Sequence, residues 1–172
     1  MGECSVWLLP VDSESQELAT VIHRLSTRTD APRFRPHLTL LGPVPQRAEH
    51  VCHILSGCHV DLPVQLPAVG VEHGDERFHA LFVRLRETQA LAVVRSSVAR
   101  HLSALPPIAV HEPHVSLAYP RAALPPAWRQ AVCASVAIRS TYTFDRLAVV
   151  EPGNLHEGWD DVEAWQVLDV AP

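Results

Sequence analysis

The stretch PHLTL, residues 36–40, recurs almost unchanged as PHVSL at residues 113–117. Each copy reads Pro-His-apolar-hydroxyl-Leu. Two copies in a chain of 172 residues point to a duplicated unit. In an extended strand, side chains alternate between faces. His37 and Thr39 therefore share one face, and Leu38 and Leu40 the other. His114 and Ser116 oppose Val115 and Leu117 in the same way. Each copy is half core strand and half polar device. Burying an imidazole and a hydroxyl side by side is unfavourable unless both are hydrogen-bonded, so a polar cleft is the simpler reading.

Outward from these pentads, the chain alternates strands and helices. Cys4 to Leu9 reads as a strand. Ser13-Glu14-Ser15-Gln16 has capping-box form. Leu18, Val21, Ile22 and Leu25 follow at helical spacing and predict a helix over residues 14–27. PRFRPHLTLL, residues 32–41, is the second strand, and residues 46–56 suit a short helix. Runs at 60–73 and 77–86 read as antiparallel strands joined by a turn at Gly74-Asp75. Glu87-Thr88 starts a helix with Leu91, Val94, Val98 and Leu102 on one face. HEPHVSLAY, residues 111–119, is the next strand. Pro125-Pro126 opens a helix carrying Trp128, Val132 and Val136, since Pro is tolerated in a first turn. Strands at 142–150 and 162–170 close the chain. Both pentads follow a helix, so the second half echoes the first. Strand–helix alternation also suits a parallel α/β sheet, but the adjacent antiparallel strands favour α+β.

Composition narrows the function. Apolar residues make up 47% of the chain, which is long enough for one full core or two small lobes. No apolar run approaches the ~18–20 residues of a bilayer span, and the N-terminus lacks the basic start of a signal peptide. A cytoplasmic protein is expected. The net charge is −5 and every basic side chain is Arg. Without a basic stripe, long nucleic acid is a poor partner, whereas a small anionic ligand needs only a few local cations. Cys4, Cys52, Cys58 and Cys133 form no C-x-x-C, so they are expected to be small buried side chains rather than disulfides.

If the pentads face one cleft, two imidazoles and two hydroxyls converge. A His titrates near neutrality and serves as acid or base. One His can take a proton from water while the other gives one to a departing oxygen, which suits phosphoester hydrolysis. The hydroxyls of Thr39 and Ser116 can bind phosphate oxygens. No metal is required, because an imidazolium and the hydroxyls offset the charge. Which His is the acid is open at this level.

The pair PHLTL and PHVSL resembles the double H-x-[T/S] signature of the 2H phosphoesterase superfamily. Within it, the chain resembles the cyclic phosphodiesterases of the plant and yeast type. SVWLLP (5–10), PRFRPHLTL (32–40), RFHALFVRL (77–85), PHVSLAY (113–119) and EAWQVLDV (163–170) have counterparts there in the same order. The resemblance implies a bilobal α+β fold over residues 1–172, with pseudo-two-fold duplication, two antiparallel sheets around a central cleft and helices outside. It implies His37, Thr39, His114 and Ser116 as catalytic residues, no metal and no cofactor. The implied substrates are small: a nucleoside 2′,3′-cyclic phosphate or ADP-ribose 1″,2″-cyclic phosphate. A monomer is the expected state. By position, Trp7, Phe78 and Tyr119 match residues placed near substrate. Core packing is the competing reading for Trp7 and Phe78. Alternation puts Tyr119 on the face opposite His114 unless the strand ends first.

Other candidates are weaker. His50, Cys52, His53, Cys58 and His59 crowd together but match no zinc spacing, so solvent-facing His with buried Cys is expected. Arg33 and Arg35 bracket the approach to His37 and could attract phosphate; Arg77 beside Phe78 is a lesser case. His73, His79, His101, His111 and His156 have no partner motif. Two other functions compete: an enzyme of the same superfamily acting on RNA ends, and a nucleotide-binding module without turnover.

Overall fold

Strand β1 (Cys4–Pro10) is buried along its whole length. Its alternate side chains serve two different interiors. Cys4, Val6 and Leu8 enter the main core, whereas Trp7 and Leu9 join a smaller cluster with Ala148 and Val150. A strand covered on both faces needs the near-continuous apolar run that CSVWLLP supplies. The computed structural model describes residues 2–102, 112–153 and 160–170. After β1 come α1 (Asp12–Thr29), β2 (Leu38–Val44), α2 (Ala48–Leu55), β3 (Val64–Glu72) and β4 (Leu81–Leu85). They are followed by α3 (Gln89–His101), β5 (His114–Ala118), α4 (Pro126–Ser135), β6 (Thr141–Glu151) and β7 (Gln166–Asp169). The class is α+β, as expected, and every strand pairing is antiparallel.

The strands run in the order β1-β2-β5-β4-β3-β6-β7, with β1 also paired to β6. The first six therefore close into a ring, and the two sheets expected around the cleft are continuous in one seven-stranded sheet. The ring carries the duplication that the sequence only hints at. Exchanging β1-α1-β2-α2-β3 for β4-α3-β5-α4-β6 maps the β1–β2 pair onto β4–β5 and β1–β6 onto β4–β3. The β2–β5 and β3–β6 pairs map onto themselves. The helices obey the same exchange: α1 packs on β5 and α3 on β2, while α2 packs on β6 and α4 on β3. Strand β7 has no counterpart among the described residues.

Local departures from the expected elements have physical causes. Helix α1 starts at Asp12 without a side-chain cap. The capping box of Ser13 and Gln16 does not form, because Val11 is the N-cap and Ser13 falls inside the first turn; the Glu14 carboxylate accepts the Thr143 N–H at 2.6 Å. Asp30 ends the helix in the left-handed region (φ 48°), which Asp tolerates better than most residues. Strand β2 begins at Leu38 rather than near residue 32. Pro32 and Pro36 lack the N–H a ladder needs, so His37 sits just ahead of the strand. Residues 77–79 form a 3₁₀ turn before β4 instead of extending it. A second such turn, Val162–Ala164, precedes β7. Helix α3 does form as read, with the Thr88 hydroxyl accepting the Leu91 N–H at 3.2 Å. The four cysteines are unpaired, and burial pushes the Cys4 thiol up to about 12. His111 and His156 lie outside the described residues.

Candidate active site

Leu38 and Val115 are Cα partners across β2 and β5. They are the middle residues of the two pentads, so the seam of the ring runs through both motifs. Carrying the antiparallel register one residue each way sets Thr39 across from His114, and Ser116 across from His37. Leu38 and Val115 are fully buried in the main core. Alternation then sends the motif histidines to the opposite, cleft side. The pseudo-two-fold axis of the ring passes between the two copies.

A cavity of about 330 Å³ opens there. His37, Thr39 and His114 line it, together with Trp7, Phe78, Tyr119, Trp165, His79, Glu3, Ser5 and Glu76. Gly42 belongs to the wall as well: a Cβ there would stand 2.6 Å from the Ser5 hydroxyl. Ser116 does not line the cavity. It is buried, and its hydroxyl donates to the Phe78 carbonyl at 3.2 Å.

Both histidines are oriented by the same device. The His37 Nδ1–H donates to the Arg35 carbonyl at 2.7 Å, and the His114 Nδ1–H to the Glu112 carbonyl at 2.8 Å. A carbonyl only accepts, so Nδ1 carries the hydrogen in each ring and Nε2 is the basic nitrogen. In each case the partner is the carbonyl two residues earlier, with the motif Pro between. The sequence repeat thus encodes a repeated tautomer.

The surroundings of the two rings differ. Trp7 lies flat on His37, with ring centroids 3.5 Å apart and planes at 6°. Trp7 is the residue paired with Thr39 across β1–β2. Its topological counterpart is Phe82, paired with Ser116 across β4–β5. Phe82 meets His114 edge-on at 5.5 Å. His37 is sealed and His114 is more open. Burial drives the His37 pKa down to about 3; the Arg35 carbonyl pulls it up and His114 pushes it further down.

This burial makes folding acid-sensitive. Unfolded, His37 titrates near 6.5; folded, it takes a proton only near 3. Above pH 6.5 both states are neutral and the group contributes nothing to pH dependence. As pH falls from 6.5 towards 3, the unfolded chain binds the proton and the folded one does not, so stability falls. Between pH 7 and 4 the expected loss from this residue is about 3 kcal/mol. Urea unfolding at both pH values should show His37→Gln losing less stability than the wild type by about that amount. Equal acid losses in the two proteins would place the sensitivity elsewhere.

The aromatic residues expected near substrate are all in the wall. Trp7, only 2% exposed, serves core and cleft at once. Tyr119 reaches the cavity because β5 ends at Ala118. Burial pushes its phenol up, against the neighbouring Ser116 hydroxyl. Phe34 stacks on Tyr119 at 4.2 Å behind the wall. Two wall residues carried no role in the sequence reading. Trp165 meets Trp7 edge-on at 5.6 Å and stacks on Phe78 at 6.3 Å. His79 lies 4.5 Å from His114, ring to ring. A continuous strand over 77–86 would have put Phe78 and His79 on opposite faces; the 3₁₀ turn lets both reach the cavity.

The remaining candidates lie elsewhere. Arg35 pairs with Asp169 at 3.1 Å, and Arg33 is exposed; neither lines the cavity. Arg77 forks onto Asp160, with Nη1 to the carboxylate at 2.7 Å and Nη2 to the carbonyl at 2.8 Å. His50, His53 and His59 face solvent, while Cys52 and Cys58 pack against the core. Among the described residues, no group of three or more His, Cys, Asp or Glu could hold a metal ion. Nor is any described helix long and apolar enough to cross a membrane.

No protein-family model matches the sequence, and no curated protein matches it. Solved structures do resemble it. TT0787 of Thermus thermophilus superposes with a TM-score of 0.61 at 14% identity, over 98% of this chain and 97% of that one. A protein described as a phosphoesterase gives 0.58 at 13%, over 99% and 95%. E. coli LigT complexed with 3′-AMP gives 0.54 at 17%, over 99% and 95%. At such identities the likeness speaks to architecture: over nearly its whole length, this chain has the fold of TT0787 and LigT.

Proposed function

We propose that the cleft hydrolyses cyclic phosphodiesters of nucleotides, using His37 as general base and His114 as general acid. One observation carries the reading: the Leu38–Val115 pair brings two identically oriented imidazoles to one cavity. The site needs both halves of the ring, so residues 1–172 act as one bilobal unit. The base must be neutral, and burial holds His37 neutral at working pH. A bound phosphate dianion or monoanion would draw its pKa back up, as an opposite charge does. His114, in the more open setting, supplies the proton. Two like groups in unlike environments are the usual way to divide acid and base roles.

The reaction balances as follows. His37 Nε2 takes a proton from water, and the water oxygen attacks phosphorus. The P–O3′ bond of a 2′,3′-cyclic phosphate breaks, and His114 protonates O3′. The product is the 2′-phosphate; ADP-ribose 1″,2″-cyclic phosphate opens to the 1″-phosphate in the same manner. Thr39 donates its hydroxyl to a non-bridging oxygen, and an imidazolium offsets the charge without a metal. Ser116 supports Phe78 unless its hydroxyl turns from the carbonyl to the phosphate. Trp7, Phe78 and Tyr119, with Trp165, offer aromatic faces to base or ribose. E. coli LigT has been solved with phosphate, 3′-AMP, ATP and NADP+, which suits a nucleotide-sized ligand here. A monomeric cytoplasmic enzyme is the form in which it would act.

Incubation with a 2′,3′-cyclic nucleotide in EDTA tests this, with phosphorus NMR of the product. Turnover to the 2′-phosphate, with a rate that falls on both sides of an optimum, is the expected result. Equal 2′- and 3′-phosphates would contradict the fixed acid. Activity on RNA ends alone would transfer the site to that substrate class. The charge setting favours the small substrate: Arg84, across from His114, and Arg95 are engaged by Glu72 and Glu87. Binding without turnover would leave a nucleotide-binding module.

A further inference from the structure

We propose that His79 is a charge-setting partner of His114: the two rings face each other in the cavity wall, so a cation at position 79 lowers the pH at which His114 gives up its proton. The inference rests on the acid role given to His114 above, but its test does not need turnover. The observation is a third imidazole in the cavity wall. The ring centroids of His79 and His114 are 4.5 Å apart and their planes are tilted by 53°. Nothing in the sequence repeat accounts for it, because the first motif has Trp7, not a second imidazole, against its ring.

His79 is held in place from several directions. The segment before it is tied to α4 by Arg129, which donates to the Gly74 carbonyl and pairs with Asp75 at 2.9 Å. Arg77 anchors it on the other side through Asp160. Gly74 itself passes so close that a Cβ would stand 2.9 Å from the His79 carbonyl. The ring sits edge-on to Phe82 at 5.7 Å, between that side chain and the cavity.

Two imidazolium ions at this separation repel, so the second proton binds at a much lower pH than the first. Charged side chains surround the pair. Glu76 lies 3.7 Å from the His79 Nδ1. Arg84, across the β4–β5 pair from His114, is engaged by Glu72 at 2.8 Å. Arg77 is engaged by Asp160, while Glu3 and His37 line the cavity on the other motif's side. An imidazolium on either ring weakens the other ring's hold on its own proton. A weaker hold on its proton makes His114 the better donor to a departing alkoxide.

The test is a proton NMR titration of the His114 ring in resting protein, for wild type, His79→Gln and His79→Arg. The Gln variant should raise the His114 midpoint by about 0.5–1 pH unit, and the Arg variant should lower it, as removal and fixing of a neighbouring cation require. In the wild type, His114 should show a two-step curve. The alkaline limb of the pH–rate profile should move with the midpoint. A residue that merely shaped the cavity would change the rate at every pH and leave the midpoints alone. Identical His114 midpoints in all three proteins would overturn the coupling, whatever the enzyme hydrolyses. Shifted midpoints in a protein with no phosphodiesterase activity would uphold it and count against the functional reading instead.

Discussion

Replacing His37 or His114 by Ala is expected to lower kcat on a cyclic nucleotide by about 10²–10⁴-fold each, the usual worth of one positioned proton transfer. The double variant should be little slower than either single one, because the two act in one step and their effects do not add. The sites should differ in stability. His37 is 5% exposed beneath Trp7, so His37→Ala leaves a hole beside the indole. His114 is only partly buried, so His114→Ala should fold almost as the wild type does. Thr39→Ala should cost about 10–10³-fold through one lost donor. Ser116→Ala should stay below that, since its hydroxyl is engaged by Phe78 rather than aimed into the cavity. Steady-state rates with matched urea curves separate chemistry from folding. Near-normal rates in both His variants would end the acid–base assignment.

Trp7→Ala is expected to cost about 3–5 kcal/mol of stability, the range for a buried large aromatic. Trp7 covers His37 face to face, meets Trp165 edge-on and packs with Leu9, Ala148 and Val150. It is the roof of His37 and the centre of the smaller core. Its loss should admit water to the imidazole and let the His37 pKa climb from about 3 towards its ordinary value. Trp7→Phe retains an aromatic face and should keep most of both effects. Urea midpoints and the His37 NMR titration report the two quantities separately. A cost below ~1 kcal/mol with an unchanged His37 titration would mean that the indole neither supports the core nor seals the ring.

Much of this was legible in the sequence because it depends on local order. Strand alternation assigned Leu38, Leu40, Val115 and Leu117 to the core and the motif His and Thr to the cleft, and all four apolar residues are buried. Helical spacing placed α1 and α3 to within a few residues, since an amphipathic stripe is written by the residues themselves. The Pro-His order also carried a hidden instruction: each His reaches back two residues to a carbonyl, so the same tautomer follows from the same short sequence.

The rest depends on groups far apart in the chain. Helix α1 is capped at Val11, two residues before the expected Ser13 cap, and the buried Glu14 carboxylate accepts the Thr143 N–H because β6 brings that group within reach. Ser116 looked equivalent to Thr39, yet a turn 38 residues earlier supplies the carbonyl that takes its hydrogen. His79 and Trp165 entered the cavity wall because a 3₁₀ turn and the added strand β7 delivered them there. The difference between the surroundings of His37 and His114 was not legible at all. The pentads are near-copies, so local sequence makes the two imidazoles alike. They are told apart only by what packs over them, an indole laid flat on one and an open, histidine-flanked face beside the other. An imidazole's affinity for a proton is set by surrounding water and charge, and those are properties of the folded ring of strands, not of five consecutive residues.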